Sequence, residues 1–420
     1  MRRVLILSLV FGPDTVSTAN MMTDLAHGLS DLGHRVTVLT SMPHYNPSPE
    51  VLGNPIYRAR FPKFYTDSDE HHVRVLRVHM PLKGQRVWRR VFDFMWFQTL
   101  TLLIGLTKLG RHEVIFVPSP PITLGINGYL LKVFLKGKMI YDVRELWPDA
   151  PIRMGLLKNK LVIALAYVIE RFVYNRSEAI TSIARSFSRS LASRGVPANK
   201  LFFTPNFVDT DWLSPLPKSN GFAREQGLED KFVVFYAGNI GLSQGLEILV
   251  DVARAFEAQT DTVILIIGNG AARPKLEQSI ACSGLQNIRL LPFQPYDRVP
   301  ETYATADICV SPMQLGFSYE TVPSKIYTAM AAGRPVVAAS EPGTETADLL
   351  RDSHGGIMVE PESSAQMIDA IRRLKDSPEM AQSMGVNAHR WIVDRYSKRA
   401  VISAYDQVIR KVIESAPRSP

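Results

Sequence analysis

The sequence predicts two doubly wound α/β domains in one chain, each a mainly parallel sheet with helices on both faces. Three observations predict it. Short apolar runs alternate with amphipathic stretches from end to end. The runs are continuously apolar, not alternating with polar residues. The series also breaks once, near residue 206, and then restarts. Continuous apolar strands are those buried on both faces, and the stretches between them are long enough for crossover helices.

In the first series the runs are 4–10, 36–39, 73–78, 114–117, 139–141, 179–182 and 201–203. After a proline-bearing stretch, 206–220, come 232–237, 263–267, 288–291, 308–310, 336–339 and 356–359. The expected domains are therefore 1–205 and 206–395, a sensible division of 420 residues. From 381 to 414 the period is helical, with little strand signal.

Composition narrows the class. Hydrophobic residues make up 46% and charged residues 21%, as in an ordinary globular protein. Two cysteines, Cys282 and Cys309, are too few for a disulfide-stapled secreted fold and form no CxxC metal pair. Met1, Arg2 and Arg3 precede an apolar run, as in a signal peptide. That run is short, lacks a small-residue cleavage site and stops at Phe11-Gly12-Pro13-Asp14, so it reads as a first buried strand. The expected location is cytoplasmic.

The net charge of +8 is divided unevenly. Residues 1–205 hold 27 Lys/Arg against 14 Asp/Glu, a net of +13, and the remainder hold 21 against 26, a net of −5. Such a split points the first half toward an anionic partner, and nucleic acid and an anionic membrane both fit the charge alone. Arg86, Arg89 and Arg90 lead into an aromatic stretch, 91–106, interrupted by Asp93 and Gln98. It is too short to span a bilayer and reads either as a buried crossover helix or as an interfacial one.

The second half carries the chemistry. Tyr236-Ala237-Gly238-Asn239-Ile240-Gly241 follows a strand, and Ser243-Gln244-Gly245-Leu246-Glu247 is expected to open a helix. Such a glycine-lined turn presents backbone N–H groups and a helix dipole to a phosphate. Ile267-Gly268-Asn269-Gly270 repeats the pattern, with Arg273 in the next helix. Either turn alone is also what a plain tight loop gives. The third element, 320–337, places Glu320 just before a helix, with Pro323 ahead of it and Ser324 and Lys325 in its first turn. A carboxylate there can accept hydrogen bonds from vicinal sugar hydroxyls, and the helix start with Lys325 can hold a diphosphate.

In the first half, Asp142-Val143-Arg144-Glu145 ends a strand and runs into Leu146-Trp147-Pro148-Asp149. A carboxylate at that place can orient or deprotonate an acceptor hydroxyl; equally, an Arg–carboxylate pair can simply hold the turn. His44 and Tyr45, also after a strand, are candidates to line the acceptor side, and His34 reads as a structural corner. Two D-x-D triplets, Asp67-Ser68-Asp69 in an expected polar loop and Asp209-Thr210-Asp211 between the domains, fit helix capping or chance better than a metal site.

These residues together resemble glycosyltransferase family 4, the retaining GT-B transferases, and especially its branch that builds bacterial surface polysaccharides. The resemblance runs through Leu32-Gly33-His34-Arg35-Val36-Thr37-Val38, Leu146-Trp147-Pro148-Asp149, Pro205-Asn206-Phe207-Val208-Asp209, Gly238-Asn239, Gly268-Asn269-Gly270, Ala306-Asp307, and Pro323-Ser324-Lys325 followed by Met330-Ala331-Ala332-Gly333. It implies a GT-B fold with the active site in the cleft between two Rossmann-like domains and a closing helix, 396–420, packed back on the first. It implies Glu320, Lys325, Glu145 and Arg144 as the catalytic set. The implied donor-binding set is Gly238, Asn239, Gln244, Gly268, Asn269, Arg273, Gln294, Pro323, Ser324 and Thr328; His44, Tyr45 and Asp142 are the acceptor side.

Arg144-Glu145 stands where the family usually shows His-Asp, and three donor-side positions also depart from it. Thr328 stands where its second glutamate binds the ribose, and Asn239 and Gln244 stand where an arginine and a lysine usually meet the diphosphate. Lys325 is the local replacement. The implied partners are a nucleotide-diphosphate sugar as co-substrate, a lipid-linked or saccharide acceptor and the inner membrane surface, where the chain is expected to be peripheral; no cofactor, metal or nucleic acid is expected. The rivals are a non-hydrolysing sugar-nucleotide 2-epimerase of the same fold, a catalytically silent nucleotide-sugar-binding subunit, and a nicotinamide oxidoreductase, which lacks its G-x-G-x-x-G after the first strand.

Overall fold

The computed structural model describes residues 1–14, 16–45, 47–57, 64–81, 87–153, 155, 157–319 and 324–415, with the backbone alone for 87–91 and 153. The chain forms two units. The first holds residues up to Pro205 and those from Val401 on; the second runs from Asn206 to Ala400.

In chain order the first unit contains β1 (Arg3–Leu7), α1 (Ser17–Asp31), β2 (Arg35–Ser41), α2 (Pro49–Gly53), β3 (Tyr65–Glu70), β4 (Val73–Val78), α3 (Val87–Lys108), β5 (Val114–Pro118), α4 (Leu124–Phe134), β6 (Lys138–Val143), α5 (Asp149–Arg153), α6 (Lys160–Arg176), β7 (Ala179–Ser182), α7 (Arg185–Ser193) and β8 (Leu201–Phe203). Its sheet is ordered β3-β4-β2-β1-β5-β6-β7-β8, and every pair but β3–β4 is parallel. β1, β5 and β6 are buried along nearly their whole length, which explains their unbroken apolar runs.

β3 is a strand where a polar loop was expected. Its sequence, Tyr65 to Glu70, carries three acids because it is an edge with one neighbour, and charge there discourages further pairing. Asp67 is engaged by Arg74 of β4 at 3.0 and 2.7 Å, so the first D-x-D triplet serves the sheet.

The returning helix, α16 (Lys398–Glu414), packs into the first unit. Its return begins at Val401, a little later than 396, because Tyr396 is fully buried in the second unit against Tyr327, with ring centroids 5.0 Å apart. His34 Nε2 lies 2.7 Å from Asp406 Oδ1, which fits its reading as a corner. Lys138 Nζ donates to the carbonyls of Val412 and Ile413 at 2.8 and 3.2 Å, capping the end of α16.

Asp142 is a correction to the expected acceptor side. It is fully buried, and its carboxylate accepts from Thr181 Oγ1 at 2.7 Å, Tyr405 Oη at 3.1 Å and Arg144 Nη1 at 3.2 Å. It joins β6, β7 and α16, with no surface left for a substrate. Asp142→Asn is therefore expected to cost about 1–3 kcal/mol of stability, since it strips a buried arginine of its countercharge. The check is a lowered thermal transition with ligand affinity in the second unit unchanged.

The second unit contains α8 (Gly221–Gln226), β9 (Phe232–Asn239), α9 (Ile248–Ala255), β10 (Thr262–Asn269), α10 (Arg273–Ser283), β11 (Ile288–Leu291), α11 (Val299–Thr305), β12 (Ile308–Ser311), α12 (Ser324–Ala331), β13 (Val336–Ala339), α13 (Glu345–Ser353), β14 (Gly356–Val359), α14 (Ser364–Lys375) and α15 (Pro378–Arg395). Its six strands are all parallel, in the order β11-β10-β9-β12-β13-β14. The order reverses between β9 and β12, and ligands of open α/β sheets collect at the carboxyl ends of the strands beside such a reversal. The helix expected to open at Ser243 begins at Ile248. A 3₁₀ turn, Leu242–Gln244, comes first, and Gly245 in the left-handed region (φ 57°) breaks it from α9.

Candidate functional site

The carboxyl ends of the strands around that reversal and the start of α12 enclose a cavity of about 530 Å³. Seven of the expected donor-side residues line it: Gly238 and Asn239 at the end of β9, Gln244 after it, Gln294 after β11, and Ser324, Lys325 and Thr328 of α12. Backbone approach is what places them. Gly268 pairs with Gly238 across β9 and β10, and a Cβ on Gly268 would come within 2.0 Å of the Gly238 carbonyl oxygen. Gly238 has φ 142°, and a Cβ there would meet Lys325 Cε at 3.3 Å. The bare turn thus leaves room for the lysine.

Lys325 is the cationic centre of the cavity. Its ammonium donates to Tyr236 Oη at 2.6 Å and lies 4.3 Å from that ring's centroid. Tyr236 Oη in turn donates to the Asn239 carbonyl at 2.7 Å, so the lysine is tied to the end of β9. Among the described residues no carboxylate pairs with it. The side chain as a whole is half-buried, but its charged end is deeply desolvated, and burial pushes its pKa down from 10.5 to about 7. A buried ammonium whose one hydrogen-bond partner among the described residues is a phenol is poised to meet an anion.

Other side chains are oriented by local bonds. Gln244 Oε1 accepts from Gly241 N at 3.0 Å, and its amide donates to Ser243 Oγ at 2.9 Å. Thr328 Oγ1 donates back to the Ser324 carbonyl at 3.3 Å. Glu341 is buried and holds the loop that approaches α12: it accepts from Gly316 N at 2.5 Å and from the Ser318 hydroxyl. Glu320 and Pro323 lie outside the described residues.

Gly268 and Asn269 sit just past Ile267, which does line the cavity. Arg273 is drawn away from it. Its guanidinium is held by the Gly268 carbonyl, by the Leu291 carbonyl at 3.3 Å and by Glu277 at 2.7 Å, stapling the ends of β10 and β11.

Sequence reasoning missed the aromatic part of the lining. Trp212 and Tyr296 stack at 4.2 Å with planes 6° apart, and Phe293 stands beside Gln294 on the same wall. Tyr296 and Phe293 are 71% and 57% exposed, an unusual use of aromatic surface. The aromatic residues after β11 were the available signal. Asp209, of the second D-x-D triplet, accepts from Asp211 N and Trp212 N, both at 3.1 Å, and so sets the turn that presents Trp212.

In the first unit, Asp14 was also missed. It is buried and accepts from the backbone N–H groups of His44 and Tyr45 at 3.1 and 3.0 Å, fixing the turn after β2. His44 is itself buried, with Nδ1 2.9 Å from Ser41 Oγ. Arg144 is buried against Asp142, so the structural reading of that pair holds for Arg144. Glu145, next in sequence, is exposed as a residue, yet burial of its carboxyl raises its pKa against the opposing hydrogen bond from Trp147.

A larger groove, about 720 Å³, lies at the other ends of the second unit's strands, between Phe232, Pro335 and α15. Two of its charged groups are already engaged: Asp307 on Lys218 and Val233 N, and Lys375 on Asp261 at 2.8 Å. The carboxyl-end cavity is the better candidate. Among the described residues no group of three His, Cys, Asp or Glu gathers as metal ligands would.

Two doubly wound units, one carrying a cationic cavity at its strand reversal, have the architecture of the GT-B fold. The chain belongs to glycosyltransferase family 4: residues 18–206 match the family described as "Glycosyl transferase 4-like domain" and residues 231–377 that described as "Glycosyl transferases group 1". It is 24% identical over 421 residues to the putative colanic acid biosynthesis glycosyl transferase WcaI of Escherichia coli, covering 98% of each chain. Sucrose-phosphate synthase of Thermosynechococcus elongatus shares the fold with a TM-score of 0.74 at 17% identity, over 99% of this chain and 100% of that one. Anabaena HepE, solved in complex with UDP, gives 0.73 at 14% identity, over 97% and 100%.

Proposed function

We propose that the protein transfers a sugar from a nucleoside-diphosphate sugar to a lipid-linked saccharide, with retention of configuration, at the inner face of the plasma membrane. The reading that this serves surface-polysaccharide synthesis is supported by the name of the relative WcaI. The observation that carries the donor side is Lys325, an ammonium with a phenol partner at the start of α12 inside a cavity at the strand reversal.

In this reading the diphosphate rests against the first turn of α12, where backbone N–H groups lack intrahelical partners and the helix dipole is positive. The bond from the sugar's anomeric carbon to the phosphate oxygen breaks, and a bond to the acceptor oxygen forms on the same face. The acceptor proton passes to the departing phosphate, and the nucleoside diphosphate leaves. Lys325 and the helix start stabilise the charge that grows on that leaving group, the kind of preorganised electrostatics that dominates many enzymes. Glu320 binds the sugar hydroxyls, Glu145 orients the acceptor hydroxyl, and Trp212, Phe293 and Tyr296 offer the nucleobase a stacking surface. Thr328 meets the ribose with a hydroxyl in place of a carboxylate.

The reaction so read needs neither metal nor cofactor, since Lys325 takes the place of a divalent ion and both D-x-D triplets are engaged elsewhere. Full transfer is expected with EDTA present; a strict requirement restored by Mg²⁺ or Mn²⁺ would overturn this account of the donor side. Labelled UDP-, GDP- and dTDP-sugars incubated with a membrane lipid extract test the whole proposal. One donor is expected to release nucleoside diphosphate and move label into the lipid phase. Conversion of the sugar nucleotide without acceptor would identify an epimerase instead.

A further inference from the structure

Three crossover helices, α3, α4 and α6, cover one face of the first unit's sheet as a single layer. Asn127 of α4 donates to the Gln98 carbonyl of α3 at 2.7 Å, and Tyr129 of α4 meets Phe172 of α6 edge-on at 5.1 Å. The inward residues, such as Phe97 and Ile104 of α3 and Ala166 and Val173 of α6, are buried. The outward face of α6 should then be polar, and it is not. Leu161, Val162, Leu165 and Val168 are 81%, 48%, 59% and 65% exposed, at a spacing that makes one stripe. α3 repeats the pattern with Phe92, Met95, Trp96 and Leu103, at 67%, 62%, 40% and 54%. Apolar stripes on two helices of one layer mark an interaction surface. Among the described residues no helix is long and apolar enough to cross a membrane.

The charge around the stripe says what covers it. The only acid of α6, Glu170, is turned inward onto Arg194 at 2.8 Å, and the exposed charges at the helix are Lys158, Lys160, Arg171 and Arg176. Asn159 caps α6, accepting from Leu161 N and Val162 N at 2.9 and 3.2 Å, so the stripe is presented from a fixed first turn. α3 adds one half-buried acid, Asp93. An apolar stripe with a fringe of cations and no exposed acid, as on α6, is the chemistry of a helix lying in an anionic lipid interface.

We propose that the outer face of α3 and α6 docks on an anionic bilayer, with the first half of α6 seated among the headgroups. Crossover helices of a parallel sheet start at the carboxyl ends of the strands. Leu161, Val162 and Leu165 therefore stand at the end of the unit where Glu145 follows β6. The purpose of the docking rests on the lipid-linked acceptor proposed above: it brings that end of the unit to where a lipid-linked saccharide emerges. The face extends the one expected from the sequence, which looked to α3 with Arg86, Arg89 and Arg90, onto α6. Arg86 lies outside the described residues, as do the side chains of the other two.

The test sediments the full chain with phosphatidylglycerol–phosphatidylcholine vesicles, and compares it with the triple variant Leu161→Ser, Leu165→Ser, Val168→Ser. The variant is expected to lose about tenfold or more in partitioning, the consequence of withdrawing three exposed aliphatic groups from the lipid. Its nucleoside-diphosphate affinity and thermal transition should be unchanged. The proposal is overturned if the variant sediments like wild type, if wild type binds pure phosphatidylcholine equally well, or if the substitutions convert a dimer in solution to a monomer. Sugar transfer to a soluble acceptor without vesicle binding would remove the docking face and leave the transferase reading. Vesicle binding without transfer to any lipid-linked saccharide would do the reverse.

Discussion

Glu320→Ala is expected to lower kcat/KM by about 2–4 kcal/mol, roughly thirty- to nearly a thousandfold, while leaving the thermal transition in place. The size is that of a charge-assisted hydrogen bond made more strongly to the transition state than to the free donor. The described segments that flank residues 320–323 are themselves anchored. On one side, Glu341 grips Gly316 and Ser318, and Tyr319 Oη donates to the Pro342 carbonyl at 3.2 Å. On the other side, α12 begins at Ser324. Glu320→Gln should recover part of the loss if the sugar hydroxyls need an acceptor and little if they need the charge. Activity of the Ala variant within about twofold of wild type would remove Glu320 from the site.

The doubly wound architecture was legible because burial on both faces writes itself into a strand as an unbroken apolar run. β9, β10 and β13 therefore stand out, whereas β3 does not: an edge strand with Asp67, Asp69 and Glu70 reads as a loop. Helix starts were less legible, since the 3₁₀ turn at Leu242–Gln244 is decided by the left-handed Gly245 and not by hydrophobic period. Site residues divide the same way. The Ser324–Lys325 turn was readable because its chemistry lies within one short segment. Asp142 was misread because one of its partners, Tyr405, is 263 positions away. Arg273 is turned toward carbonyls that leave no trace in residue type. The Trp212–Tyr296 stack joins residues far apart in sequence, and only the fold brings them to one wall.

Lys325→Ala is expected to lower nucleoside-diphosphate affinity and kcat together, by about 2–3 kcal/mol, because it removes the charge that meets the leaving group. Lys325→Arg should recover only part. The lysine's Cε already stands 3.3 Å from where a Cβ on Gly238 would lie, and the wider guanidinium fork has to displace the turn after β9. The distinguishing measurement is pH dependence. Burial lowers the ammonium's pKa from 10.5 to about 7, so the free protein carries this charge below about pH 7 and loses it above. A diphosphate binds the charged form, so affinity should fall as pH rises through about 7, and binding above that pH should draw a proton from the buffer. Calorimetry in two buffers of different ionisation enthalpy reads that proton directly. Without ligand the sign is opposite for folding: between about 7 and 10.5 the unfolded chain holds this proton and the folded one does not, so this group makes stability rise with pH there. Both dependences should vanish in Lys325→Ala. Arg273→Ala should keep them and bind within about twofold of wild type, since its guanidinium is spent on the carbonyls of Gly268 and Leu291 and on Glu277. If Lys325→Ala binds the diphosphate as wild type does while Arg273→Ala fails to, the cation that answers the leaving group is Arg273, and the cavity is organised around the end of β10 and not the start of α12.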